Sequence, residues 1–78
     1  MLTKFKEMSM EQIKLREDYI KLGQALKAAG LVGSGVDAKM LIQDGKVKVN
    51  GHIEYQRGKK LHDGDMVEFD SEFIKIVK

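Results

Sequence analysis

The chain has 78 residues, 33% of them charged and 42% hydrophobic, the balance of one small soluble domain rather than of a disordered tail. It contains no cysteine, which excludes disulfides, thiolate metal sites and a cysteine nucleophile, and no apolar run approaches the ~20 residues of a membrane helix. The formal charge of +2 excludes nothing, because the total hides a segregated distribution: Lys39 to Lys60 carries six basic and two acidic residues, and Leu61 to Glu72 carries five acidic and no basic ones.

In chain order, residues 1–12 lack a clear period and are expected to form an N-terminal extension, frayed or weakly helical, ahead of a single domain over 13–78. The opening MLTKFKEMSM has no apolar core followed by a small-residue cleavage site, so a cytoplasmic protein is expected. Ile13-Lys14-Leu15-Arg16 alternates apolar with polar and predicts a short strand. Leu22, Ala25, Leu26 and Ala29 follow the spacing of a helix with one apolar stripe, which Gly30 ends. After the turn Gly33-Ser34-Gly35, Ser34 is placed to cap a second helix, with Asp37 three residues on and Ala38, Leu41 and Ile42 as its apolar face. Gly45 stops that helix.

The remainder reads as β-structure. Lys46 to Val49 alternates, Asn50-Gly51 is a tight-turn dipeptide, and His52 to Tyr55 alternates again. A two-residue turn mismatches the two patterns, whereas a three-residue loop pairs Val47 with Ile53 and Lys48 with His52; the second register is the expected one because it turns both apolar residues inward. Gln56 to Lys60 is a basic loop, Leu61 an apolar anchor and Asp63-Gly64 a turn. Met66 to Phe69 and Phe73 to Val77 form two more strands around Asp70-Ser71-Glu72, the last of them a partner for Ile13 to Arg16 that brings the chain ends together. The expected class is α+β, two short helices packed on a small, mostly antiparallel sheet.

Catalytic patterns are missing from the sequence. His52 and His62 are isolated beside turns, Gly30, Gly33 and Gly35 form no nucleotide-binding loop, and Asp63 and Asp65 flank a turn glycine. The run from Asp63 to Glu72 lacks calcium-loop spacing. No enzyme activity, metal, cofactor, small-molecule substrate or membrane partner is expected. The aromatic residues are few; Phe69 and Phe73 are expected in the core and Tyr55 in the core or at its rim, with no platform for stacking single-stranded bases.

The stretch LGQALKAAGLVGSGVDAKMLIQDGKVKVNGHIEYQRGKKLHDGDMVEF, from Leu22 to Phe69, resembles the S-four RNA-binding domain, or αL RNA-binding motif, and in particular its small free-standing bacterial members. Lys21-Leu22, Leu26, Gly30, Ser34, Ala38-Lys39, Leu41-Ile42, Gly45-x-Val47-x-Val49-Asn50-Gly51 and Gly64-Asp65 fall in the family's order, placing the core motif at 21–69. Three positions depart from the pattern: Gly35 stands for an arginine, Gly23 for an aspartate, and Lys39 for an arginine, keeping the charge but losing the bidentate fork.

The resemblance implies that RNA lies across the two helices and the following hairpin, in contact with Lys21, Ser34, Lys39, Gln43, Lys46, Lys48, Asn50, Arg57, Lys59 and Lys60. Turn geometry alone also explains Asn50, and Lys27 and Lys75 read as ordinary surface residues. The free N–H groups around Ser34 and the lysine-rich stripe suit phosphate, so structured RNA is the expected partner: ribosomal RNA, ribosomal particles or tRNA, recognised by shape. The alternative is a protein-interaction adaptor using the acidic segment 63–72. A ubiquitin-like sulfur carrier would need a Gly-Gly C-terminus, whereas this sequence ends Ile76-Val77-Lys78.

Overall fold

Strand residues that alternate in polarity bury one face, and two amphipathic helices must cover it. The computed structural model describes residues 9–78 and builds this arrangement from β1 (Ser9–Lys14), β2 (Ile20–Lys21), α1 (Leu22–Ala28), α2 (Gly35–Gln43), β3 (Val47–Val49), β4 (His52–Ile53), β5 (Lys60–Leu61), β6 (Met66–Phe69) and β7 (Glu72–Val77). Five strands form a sheet in the order β1-β7-β6-β3-β4, antiparallel except for the parallel pair β1 and β7, and β2 pairs with β5 in a separate two-stranded ribbon. The α+β class is the expected one.

One sheet face carries Val47, Val49, Val67, Ile74 and Ile76, and these form a single core with Leu22, Ala25 and Leu26 of α1, Ala38 and Ile42 of α2, Leu15, and Leu61 from the ribbon. Among the described residues no polar or charged side chain is buried, so the core is wholly apolar. The opposite sheet face carries Lys48, Glu68 and Lys75, and among the described residues no helix covers it. Among the described residues no helix is long and apolar enough to cross a membrane.

The helices start and stop where their caps dictate. Ser34 Oγ accepts from the Asp37 N–H at 3.2 Å, and Gly30 and Gly45 follow the helices with φ of 77° and 75°. The N-terminus of α1 has no Ser or Asp cap. Its free N–H groups are met instead by a distant loop, Leu22 donating to the Lys59 carbonyl at 2.8 Å and Gly23 to that of Arg57 at 3.0 Å.

Three expectations are corrected. Ser9 to Gln12 are not part of an extension: they open β1, with Ser9 opposite Glu72 and Lys14 opposite Val77, while residues 1–8 lie outside the described residues. The last strand pairs with Ile13 and Lys14 as expected, but in parallel, so the C-terminus lies beside the end of β1 while Ser9, the first described residue, lies opposite Glu72. The hairpin takes the two-residue turn, pairing Val49 with His52 and Lys48 with Ile53. Asn50 and Gly51 both have positive φ, 52° and 85°, as a tight turn matched to strand twist requires, and Ile53 on the edge strand stays 48% exposed. An edge strand has less core to face, so its apolar residue did not set the register.

Candidate nucleic-acid interface

The loop from Glu54 to Lys59 positions the basic residues. Glu54 N–H still bonds the Val47 carbonyl at 3.0 Å, and the Gln56 N–H donates to the Glu54 carboxylate at 3.1 Å, which bends the chain away from the sheet. The Tyr55 ring then sits against Gly45 at the end of α2, and Arg57 crosses the start of α1. A Cβ at Gly23 would lie 2.6 Å from Arg57 Cγ, so glycine there is what lets the arginine stem lie on the helix. The departure from the family aspartate at this position thus has a steric role.

Arg57 closes a shallow groove of about 320 Å³ lined by Lys21, Gly23, Gln24, Lys27, Gly35 and Arg57. Three cations line it and no acid does. Gly35 opens α2, and Lys39 and Gln43 stand one and two turns further along the same side, both exposed. Across the ribbon, Lys21 faces Lys60 directly, a like-charge pair that raises the local potential and favours an anion nearby. The Lys60 ammonium lies 4.8 Å from the Tyr19 ring centroid.

The expected contact residues therefore divide. Lys21 and Arg57 line the groove, Lys60 faces Lys21 across the ribbon, Lys59 meets the start of α1 through its carbonyl, and Lys39 and Gln43 follow Gly35 along α2. Lys27, which read as an ordinary surface residue, joins them; its signal was the three-residue spacing from Gln24 on the helix that Lys21 opens. Lys46 lines a different hollow with Leu41, Phe69 and Asp70, and Lys48 lies on the helix-free sheet face between Ile53 and Glu68. Ser34 acts as the α2 cap. The N–H groups of Gly35 and Val36 donate to no group among the described residues, and the Asp37 carboxylate occupies the same first turn.

Asn50 is committed internally. Its Oδ1 accepts from Met66 N–H at 2.9 Å and its Nδ2 donates to Asp65 at 3.0 Å, tying the hairpin turn to β6. Asp65 also accepts from His62 N–H at 2.7 Å. Partial burial pushes the Asp65 pKa up, but the bonds from His62 and Asn50 outweigh it and hold the carboxyl below the usual carboxylate value. Asp63 accepts from Lys78 N–H at 2.9 Å, so two acids of the 63–72 segment are already partnered within the fold. Among the described residues no group of three or more His, Asp or Glu could hold a metal ion.

Residues 13–77 match the family model of the S4 domain. Over 58 residues, 74% of this chain and 82% of its relative, the sequence is 40% identical to the probable ribosome maturation protein RlbA of Bacillus subtilis. It is 32% identical over 62 residues, 80% of this chain and 89% of the other, to the putative RNA-binding protein YbcJ of Escherichia coli. The solution structure of YbcJ, described as revealing an αL motif involved in RNA binding, superposes with a TM-score of 0.66 at 28% identity, covering 100% of this chain and 98% of that one. Helix pair, glycine-rich turn, hairpin and sequence agree, and the chain belongs to the S4 domain family.

Proposed function

We propose that this chain is a non-catalytic RNA-binding protein of the cytoplasm that holds structured RNA against the groove between α1, α2 and the 54–59 loop. The observation that carries this reading is the meeting of Lys21, Lys27 and Arg57 beside Gly35 with no acid in the lining. The names of the relatives support it, one as a probable ribosome maturation protein and one as a putative RNA-binding protein. Ribosomal RNA within ribosomal particles is accordingly the favoured target, with tRNA second.

Phosphate oxygens meet the groove cations and Lys39, while Gln43 reaches sugar or base edges. The α2 side from Gly35 to Gln43 is about 14 Å long, so it meets only a short run of phosphates on one strand, and the groove cations meet the others. With about five phosphates neutralised, log K falls with log[salt] at a slope of roughly −3 to −5. Titrating a ribosomal-RNA hairpin by filter binding between low and moderate salt tests the reading. Binding indifferent to salt, and unchanged by Lys39→Glu with Arg57→Glu, would replace it with the protein-adaptor alternative.

A further inference from the structure

The described residues contain four aromatic side chains. Phe69 and Phe73 are half-buried in strands, and Tyr19 has the Lys60 ammonium over its ring. Tyr55 differs. Its side chain is anchored at the tip, with Cε1, Oη and Cζ 3.3, 3.5 and 3.7 Å from the point where Gly45 would carry a Cβ, yet the residue is 59% exposed. Gly45 has φ of 75°, so the seat favours glycine for its backbone as well as for the space it leaves. The ring is held from one side and open on the other.

Its surroundings give the ring a purpose. The loop runs from Gly45, just past the end of α2, to Gly23, beside the groove that Gly35 also lines, so Tyr55 stands at the C-terminal end of α2 and Arg57 at its N-terminal end. Gln43 closes α2 two residues before the glycine on which the ring rests. Among the described residues the remaining exposed large apolar side chains lie elsewhere: Met10 and Ile53 on strands of the sheet, Val36 and Met40 on α2, Met40 in a hollow that Asp37 and Asp44 also line.

We propose that Tyr55 is a stacking platform for one unpaired nucleobase of the bound RNA, so that the partner is a duplex ending in, or interrupted by, an unpaired nucleotide. This rests on the RNA-binding reading above and specifies its substrate: the groove cations take the duplex phosphates, and the strand that leaves the duplex at the Gln43 end lays its first free base on the ring. Stacking needs only a π-face, so the platform selects for an unpaired base without selecting its identity.

The test compares a blunt RNA hairpin with the same hairpin carrying a two-nucleotide purine 3′ overhang. The wild-type chain is expected to bind the overhang form about 5-fold or more tightly, the change one stacked base produces. Tyr55→Phe should keep that preference; Tyr55→Ala and Tyr55→Leu should abolish it, leaving affinity for the blunt hairpin and the salt slope unchanged. The chain has no tryptophan, so in Tyr55→Trp the single indole should be quenched by the overhang hairpin and not by the blunt one. Equal affinity for the two hairpins, with the salt slope intact, overturns the platform and leaves the RNA reading standing. Failure to bind either hairpin overturns both. Loss of blunt-hairpin affinity in Tyr55→Phe also overturns it, since it makes the hydroxyl rather than the ring the contact.

Discussion

Replacing Asn50 with alanine should cost the fold about 3 kcal/mol while leaving the intrinsic affinity of the folded protein for RNA nearly unchanged. The side chain makes two hydrogen bonds, to Asp65 at 3.0 Å and from Met66 N–H at 2.9 Å, and its backbone holds φ of 52°. Each bond contributes about 1 kcal/mol net, and alanine in the left-handed region costs about 1 kcal/mol more. A domain of this size has about 4–12 kcal/mol in all, so the variant should remain folded with its urea midpoint lowered by roughly 2 M. Asn50→Gly, which keeps the backbone conformation and loses only the side-chain bonds, should fall between alanine and wild type. The measurement is urea unfolding by circular dichroism, with RNA titration of the folded protein alongside. A midpoint within error of wild type together with a tenfold loss of RNA affinity would refute the reasoning and make Asn50 an RNA contact.

Other consequences are testable in the same way. Gly23→Ala puts a Cβ 2.6 Å from Arg57 Cγ; displacing the arginine should lower RNA affinity about 3-fold or more, while the alanine's helix propensity of up to about 1 kcal/mol offsets the crowding, so that thermal stability changes little. Because Asp65 has a folded pKa below its unfolded one, its stabilising contribution is complete above the unfolded value near ~4 and is lost as pH falls through the folded value. Asp65→Asn should therefore flatten the acid limb of a stability–pH profile, and an unaltered limb would show that Asp65 does not set it. Leu26→Ala, at a fully buried position facing the sheet, should cost about 2–5 kcal/mol, read from the shift of the unfolding midpoint.

Much of this architecture is written in local patterns. The α1 stripe Leu22-Ala25-Leu26, the Ser34 cap and the strand Met66 to Phe69 stand where periodicity and capping chemistry put them. The hairpin register is not legible by polarity matching because β4 is an edge strand: Ile53 has no core to enter, and the Asn50-Gly51 dihedrals decide instead. β1 begins earlier than its own alternation suggests, because Ser9 to Gln12 are held by pairing with β7 rather than by an apolar face. The β2-β5 ribbon pairs residues some 40 positions apart and leaves no local signal. The site shows the same limit. A scan along the chain gathers Lys39 to Lys60 into one stripe, whereas folding sends Lys46 and Lys48 away from it and brings in Lys27.

That rearrangement defines the most direct measurement. Two triple variants change the formal charge equally: Lys21→Glu, Lys27→Glu and Arg57→Glu in the groove, and Lys46→Glu, Lys48→Glu and Lys75→Glu away from it. Affinity for a ribosomal-RNA hairpin is measured across a salt series for each, after circular dichroism shows both to be folded. The groove triple should lose most of the binding and flatten the salt slope by about 3, while the second retains the wild-type slope with a modest loss of affinity. Equal losses in the two would mean that affinity follows net charge alone, and would contradict an interface built at the groove.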